Sequence, residues 1–296
     1  MDQGIECQSA VSESSIAAKA VKDISQIATL PEVTLKIIDL VEDENSSARD
    51  LHHLIVTDPA LCSRVLKVVN SAFYGLPRQI ASINRAVSLL GQNAVKNIVM
   101  AASLAKLFRG GRLSPHFDAH DLWSHAVATG GMARMISEEC RRGISDEAFL
   151  AGLIHDVGIL VEFQHDQAKF AAVVEECHAT GRDFRECERE MLGATHEDFG
   201  AALCEAWKFP KSLAWAARHH HEPGNAPPAN RDLPWIVHLA DRMSVKIWGG
   251  FRMDLASLDS VQEAQDWLGI DDEGIERICE RARTGVQERD ELITAA

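Results

Sequence analysis

The chain has 296 residues, 25% of them charged and 46% hydrophobic, so it can bury a large core, and we expect two tightly packed helical lobes. A formal net charge of −14 would repel a polyphosphate backbone unless basic residues were concentrated locally. The strongest basic cluster, Arg141 and Arg142, is preceded by Glu138 and Glu139 and forms no such patch. We therefore expect no binding to duplex DNA.

Seven cysteines are scattered singly along the chain, with no Cys-x-x-Cys pair. This pattern is typical of reduced thiols and favours the cytoplasm. No stretch approaches the roughly 18 consecutive apolar residues that a membrane span needs. Asp2 and Glu6 stand where a signal peptide would be basic and then apolar. We expect a cytoplasmic protein that does not bind membranes.

The first part of the chain predicts an arm followed by a lobe of short helices. Residues 1–20 are small and polar, which predicts a flexible arm or a frayed helix. Residues 21–113 carry apolar side chains at helical spacing. Asp58-Pro59 is typical of a helix start, whereas Gly75-Leu76-Pro77 and Gly91 interrupt the pattern. The predicted buried positions are Val33, Ile37 and Leu40; Val65, Val68, Val69 and Ala72; Ile83, Ala86, Val87 and Leu90; and Val95, Ile98, Val99 and Ala102.

The second part predicts a larger helical lobe and a cap. The segment 109–116 holds two glycines, a serine and a proline, and should join the lobes. A long helix should begin near Asp118, within a lobe spanning residues 114–245. Residues 222–234 hold four prolines and are predicted to form a rim over a pocket. Residues 246–296 are acidic and amphipathic, which predicts a helical cap. Because no series of alternating strands is found, the sequence predicts an all-α fold.

Two titratable residues interrupt an apolar run in the second lobe. His155 and Asp156 lie within Phe149–Leu160, which is otherwise apolar and predicted to be helical. Burying an isolated charge there would be costly, and either a metal ion or a close polar partner would compensate. The pair alone does not distinguish a metal site from a buried His–Asp hydrogen bond.

Further histidines and aspartates lie on neighbouring predicted helices. His125 occupies a helix whose Leu122 faces inward, and His196 lies in the first turn of a helix capped by Thr195. His220 and His221 end another helix, and Asp241 is a carboxylate within an apolar helix that also carries His238, which is expected to be a core histidine. Six other histidines are predicted to face solvent or to cap helices: His52, His53, His116, His120, His165 and His178.

The order of these residues resembles the ligand set of the HD superfamily, and of its dinuclear HD-GYP branch in particular. In those proteins the adjacent aspartate bridges two metal ions. The resemblance implies two ions, each held by four residues, and Asp156 belongs to both sets. The first ion would be bound by His125, His155, Asp156 and Asp241, and the second by Asp156, His196, His220 and His221.

A closer resemblance, over about residues 20 to 245, is to the HDOD family, the HD-related output domain of bacterial signalling proteins. The first lobe carries family marks in Leu30-Pro-Glu-Val33, Asp58-Pro-Ala-Leu61, Val69–Gly75 and Ile83–Gly91. The second carries them in Leu150–Gly158, Thr195–Ala201, Trp207-Lys-Phe-Pro210 and His220-His-Glu-Pro223. The family implies a two-lobed helical fold and a non-enzymatic signalling module, although many members lack part of the ligand set that this chain retains.

Two departures from the HD-GYP pattern bear on activity. That pattern has a phosphate-gripping lysine at the position of Ile159, and a Gly-Tyr-Pro segment where this chain reads Pro-Gly-Asn-Ala-Pro-Pro. We therefore expect a signalling module that binds one or two divalent ions, Fe, Mn or Zn, and acts through a signalling protein partner or a nucleotide ligand. The alternatives are a metal-dependent phosphohydrolase acting on a nucleotide or cyclic dinucleotide, and a purely structural hydrogen-bond network.

Overall fold

Helices form nearly all of the regular structure. The computed structural model describes residues 15–24, 32–42, 46–70, 76, 78–108, 112–114, 116–249 and 261–284. Within these ranges the strands are two short segments paired as one antiparallel ribbon, and the predicted all-α fold is confirmed. The elements are α1 (15–23), α2 (Glu32–Glu42), α3 (Ala48–Val56), α4 (Pro59–Val69), α5 (Ile83–Leu90), α6 (Gln92–Leu104), β1 (Arg112–Ser114), β2 (Phe117–Asp118), α7 (Ala119–Glu139), α8 (Ser145–Ile154), α9 (Val157–His165), α10 (Gln167–Thr180), α11 (Phe184–Met191), α12 (His196–Ala206), α13 (Lys211–His219), α14 (Asp232–Trp248), α15 (Gln262–Leu268) and α16 (Asp272–Thr284).

Local signals set the ends of the helices in the first lobe. The Asp58 side chain accepts hydrogen bonds from the backbone N–H groups of Ala60 and Leu61, both at 2.9 Å, as predicted for the start of α4. Gly91 ends α5 with a φ of 87°, a conformation that favours glycine. The predicted break at residues 75–77 lies mostly outside the described residues.

The predicted apolar stripes form the core of this lobe. Ile37, Val65 and Val95 are fully buried, and the helices α2 and α4 both pack on α6. Helix α6 also packs on α8, so the core continues into the second half of the chain. Ala72, another predicted core position, lies outside the described residues.

The predicted junction contains the ribbon. A short 3-10 helix, Ala105–Phe108, ends the first lobe, and β1 pairs with β2 just before α7. Asp118 caps α7 by accepting from the His120 backbone N–H at 2.8 Å, which confirms the predicted helix start. The ribbon was not predicted because strands of two and three residues leave no alternating pattern.

Glycine allows α7 and α8 to touch through their backbones. A Cβ added at Gly152 of α8 would lie 2.8 Å from the Cα of Gly130 and 2.8 Å from the carbonyl oxygen of Thr129, both on α7. Such distances are closer than any side chain permits. The contact fixes α7, which carries His125, relative to α8, which leads into His155.

Both ends of the described chain pack on the body. Ala17 and Ala20 of α1 are fully buried, so residues 15–20 do not extend as the expected arm, because small side chains let the helix lie close to the core. In the C-terminal cap, Ile278 is fully buried, and Arg277 donates to Glu139 of α7 at 2.7 Å. Residues 1–14 lie outside the described residues.

Candidate metal centre

Seven buried side chains from separate parts of the second lobe converge on one point. Six are at most 1% exposed, and His221 is 8% exposed. One comes from α7, two from the turn between α8 and α9, one from the start of α12, two from the end of α13, and one from α14. They are all of the residues that the sequence predicted as ligands: His125, His155, Asp156, His196, His220, His221 and Asp241.

A break between α8 and α9 presents His155 and Asp156 together. The sequence predicted that both lie within one apolar helix, and this detail is wrong, since α8 ends at Ile154 and α9 begins at Val157. Asp156 has a φ of −100° and a ψ of 13°, outside the helical range, and this turn directs two consecutive side chains toward the same interior point. A continuous helix would separate them by about 100° around its axis.

One carboxylate oxygen of Asp156 belongs to a first group of ligands. Its Oδ2 lies 3.1 Å from Nε2 of His155 and 3.8 Å from Nε2 of His125. Asp241 closes this group, with its Oδ1 3.1 Å from Nε2 of His125 and 4.0 Å from Nε2 of His155. Two imidazoles and two carboxylates therefore surround one position.

The other oxygen of Asp156 belongs to a second group. Its Oδ1 lies 3.5 Å from Nε2 of His220 and 3.7 Å from Nε2 of His196. The Nε2 atoms of His196 and His221 are 3.1 Å apart. Asp156 thus stands between two groups and turns one oxygen toward each, the arrangement that the HD resemblance implied.

Hydrogen bonds at the far nitrogen orient three of the imidazoles. Nδ1–H of His155 donates to the Gly152 carbonyl at 2.7 Å, and Nδ1–H of His220 donates to the Ala217 carbonyl at 2.9 Å. His196 donates from Nδ1 to Glu188 at 2.9 Å. In each ring Nε2 is therefore the atom directed at the centre, as in metal sites whose histidines are held by an outer partner.

Gly158 allows the close contact between α9 and α12 that fixes the distance between Asp156 and His196. A Cβ on this residue of α9 would lie only 1.9 Å from the carbonyl oxygen of His196, the first residue of α12. No other residue allows this approach of the two helices. Because Asp156 precedes Gly158 by two residues, the contact positions the shared carboxylate against His196.

The donor set fits a cation. Both carboxylate oxygens of Asp156 and of Asp241, together with Nε2 of His220, are buried and make no hydrogen bond within the described part of the chain. Buried polar atoms of this kind ordinarily have a partner, and a metal ion would supply one for all of them. Nitrogen and carboxylate donors suit iron, manganese or zinc.

The protonation states support the same interpretation. Burial would raise the pKa of Asp156, yet the neighbouring His155, His220 and His196 hold it well below its usual value. Burial lowers the pKa of His220 to about 4 and holds that of His221 well below its usual value. An ionised carboxylate and neutral imidazoles are the forms that bind metal.

His196 differs from its neighbours. Burial lowers its pKa, but the carboxylates of Glu188 and Asp156 outweigh burial and raise the pKa to about 10. Without an ion, the ring therefore keeps a proton on Nε2, which lies 3.1 Å from Nε2 of His221. A metal ion bound to Nε2 would replace that proton.

Two outer carboxylates were missed by sequence reasoning. Glu188 and Glu162 are fully buried, and Glu188 accepts the hydrogen bond from His196. Burial and the neighbouring carboxylate of Glu188 raise the pKa of Glu162 well above its usual value. A signal for Glu162 was present in the sequence, since it is a carboxylate within the apolar run Val157–Phe163.

The segment after His221 is tied down by an ion-pair bridge. Arg185 of α11 contacts Glu197 and Glu222, each at 2.8 Å. Glu222 is 55% exposed and Glu197 is 6% exposed, so the bridge runs from the surface toward His196. The predicted rim, residues 222–234, forms two 3-10 turns beside it and then the first turn of α14.

Seven of the remaining histidines carry a prediction, and they lie where it places them. His238 is 4% exposed and donates from Nδ1 to the carbonyl oxygen of His220 at 2.7 Å, so it is a core histidine that steadies a ligand. None of the six histidines assigned to solvent or caps is buried. The expected lysine position, Ile159, is fully buried in α9.

Comparison with protein families supplies the classification. The sequence profile of the HDOD domain matches residues 27–223. The chain belongs to the HDOD family. The matched residues include six of the seven converging side chains, and Asp241 lies beyond them. HDOD membership agrees with the resemblance seen in the sequence motifs.

Known proteins share the fold. An uncharacterised Treponema pallidum protein is 26% identical over 241 residues, or 79% of this chain, which spans 45% of that protein's length. An HDOD domain protein of unknown function from Geobacter sulfurreducens is 23% identical, with a TM-score of 0.73 and coverage of 96% of both chains. A Shewanella amazonensis protein, provisionally named a phosphohydrolase, is 22% identical, with a TM-score of 0.74 and coverage of 95% of this chain and 97% of its own.

Among the helices that the structure describes, none is long and apolar enough to cross a lipid bilayer.

Proposed function

We propose that this HDOD protein is a regulatory output module of bacterial signal transduction, built around a two-ion metal centre and acting through partner or ligand binding. The observation that carries the proposal is the enclosure of the centre. All seven candidate ligands are at most 8% exposed, and a buried Ile159 occupies the position of the phosphate-gripping lysine. A buried centre without a phosphate-binding lysine suits structural or sensory duty better than turnover.

In this proposal the ions hold the second lobe together. His125, His155, Asp156 and Asp241 would bind one ion, and Asp156, His196, His220 and His221 the other. When bound, the ions supply the positive charge that buried carboxylates otherwise lack. Since the ligands come from α7, the α8–α9 turn, α12, α13 and α14, occupancy would determine how firmly these elements are joined.

Metal analysis tests the centre. Protein purified without a His-tag should contain about one to two equivalents of iron, manganese or zinc by mass spectrometry. Asp156→Ala should lose most of both ions, because its two oxygens face separate groups. The exposed His178→Ala is the matched control and should keep the metal. Metal-free protein after supplementation would contradict the proposal.

A second candidate function is metal-dependent phosphohydrolysis of a nucleotide or cyclic dinucleotide. The placement of Asp156 between two complete ligand groups favours it, because paired ions can activate water and stabilise displacement at phosphorus. The test is turnover of nucleotides, cyclic dinucleotides and phosphomonoesters by the metal-loaded protein. Activity that depends on both metal and His196 would support hydrolysis, and its absence across the panel would leave the regulatory function.

The proposed partner is another signalling protein, with a nucleotide as the alternative ligand. Cross-linking and pull-down of the full chain from its native cells would test the protein partner, with the Asp156→Ala variant run in parallel. A partner captured by the parent chain and lost from the variant would tie recognition to the metal centre.

A further inference from the structure

A cavity of about 320 Å³ lies between the first lobe and the second. Two of the helices that border it reach the metal centre at their other ends. The cavity is bounded by the first turns of α6, α8 and α13. Helices α8 and α13 run from it to His155 and His220, respectively. Ten residues of α8 correspond to about 15 Å of helix, so the cavity and the centre are separate sites.

One wall of the cavity is polar and basic. Asn93, Lys96 and Asn97 recur at helical spacing and so share one face of α6. The side chains of these three residues make no hydrogen bond or ion pair with any other described residue. An ammonium and two amides therefore face the space ready to bind.

The opposite wall is acidic but partly neutralised. Asp146 and Glu147 lie in the first turn of α8. Asp146 receives a bond from Arg134 of α7 through Oδ1, and Glu147 receives one from the hydroxyl of Ser212 through Oε1. Each carboxylate has a second oxygen outside these bonds, so the wall retains acceptors for N–H donors.

We infer that this cavity binds a small bipolar metabolite, with an anionic group at Lys96 and N–H donors at the carboxylates of Asp146 and Glu147. A purely anionic ligand would meet the acidic wall, and a purely cationic one would meet Lys96. The volume is near the lower end of small-molecule sites, roughly 300 to 1,000 Å³, which suits one amino acid or one nucleotide. Both classes carry the required anion and N–H groups. Binding does not depend on metal at the centre.

Calorimetry with the full chain tests the inference, using L-glutamine, guanosine monophosphate and inorganic phosphate as probes. Binding of glutamine or the nucleotide supports a bipolar site and identifies which class supplies the ligand. If neither binds at millimolar concentration, or if phosphate alone binds as tightly as the nucleotide, the inference is overturned.

Substitutions assign any binding to the cavity. Lys96→Met and Glu147→Gln should each weaken the bound probe about tenfold or more, since each removes a charged partner. Lys169→Met, an exposed change on α10, is the matched control and should bind as the parent does. Binding that survives both cavity changes would overturn the inference.

The same samples separate this inference from the proposed function. Metal content measured in the Lys96→Met and Glu147→Gln variants should equal that of the parent, and Asp156→Ala should lose metal while still binding the probe. Loss of probe binding in Asp156→Ala would contradict the independence of the two sites.

Discussion

The two ends of α8 have opposite environments. At its amino end, Asp146 and Glu147 border an open cavity and accept hydrogen bonds from Arg134 and Ser212, respectively. At its carboxyl end, His155 and Asp156 are sealed from solvent, and neither carboxylate oxygen of Asp156 makes a hydrogen bond within the described residues. Polar groups at the open end can use water, whereas those at the closed end need a cation. Enclosure, more than residue type, separates the two sites.

The largest expected effect comes from Gly158→Ala, which should disrupt the packing around the buried carboxyl end of α8. Its Cβ would lie 1.9 Å from the His196 carbonyl oxygen, so α9 and α12 must move apart. We expect a loss of about 3 kcal/mol in unfolding free energy and reduced metal content. Urea denaturation would measure the loss. Gly224→Ala is the control, since its added Cβ meets no atom within 4 Å and its stability should be unchanged.

Metal removal should have a similar effect on stability. A ligand present at a few hundred times its dissociation constant stabilises the native state by about 3 kcal/mol, and chelation should remove that contribution. Thermal unfolding with and without chelator would measure the shift. Asp156→Ala should show no shift, and a shift of equal size in that variant would mean that the chelator acts elsewhere.

Glu188→Gln should have a smaller and more local effect. The amide holds His196 less strongly than the carboxylate, and loss of such an outer partner costs about 10- to 100-fold in metal affinity. A competition titration should show a lower affinity for only one of the two ions, because the group around His125 does not contact Glu188. The exposed Glu186→Gln on the same helix is the control. Equal weakening of both ions would refute the separation into two groups.

The smallest effect is expected at the cap. Arg281 donates to Glu138 at 2.7 Å, but the two side chains are 49% and 33% exposed. Exposed ion pairs contribute about 0 to 1 kcal/mol, so Arg281→Gln should change the unfolding free energy by less than about 1 kcal/mol. The exposed Arg283→Gln serves as control. If Arg281→Gln lowered the unfolding free energy by several kcal/mol, surface ion pairs would contribute as much to stability as the buried centre does.

Periodicity and helix signals were sufficient for the fold. The stripes around Val65 and Val95 and the caps at Asp58 and Asp118 are local features, and local features determine helices. The ribbon of β1 and β2 was missed because its strands are too short to produce a pattern.

The site was predictable in membership but not in arrangement. Charged residues within apolar runs, such as Asp156 and Asp241, marked members of the buried cluster because burial without a partner is costly. The division of the Asp156 oxygens between two groups depends on tertiary contacts that spacing does not contain. Glu188 was missed, although its spacing from Phe184 and Cys187 places it on the apolar face of α11.

Enclosure of the seven ligands also has a kinetic consequence. Because these side chains are at most 8% exposed, an ion bound at the proposed centre would enter or leave only when the surrounding helices open locally. The rate of exchange is then governed by the free energy of that opening rather than by diffusion. A centre of this kind reflects the ions present when the chain folded, and it would report a later change in their supply only after a delay.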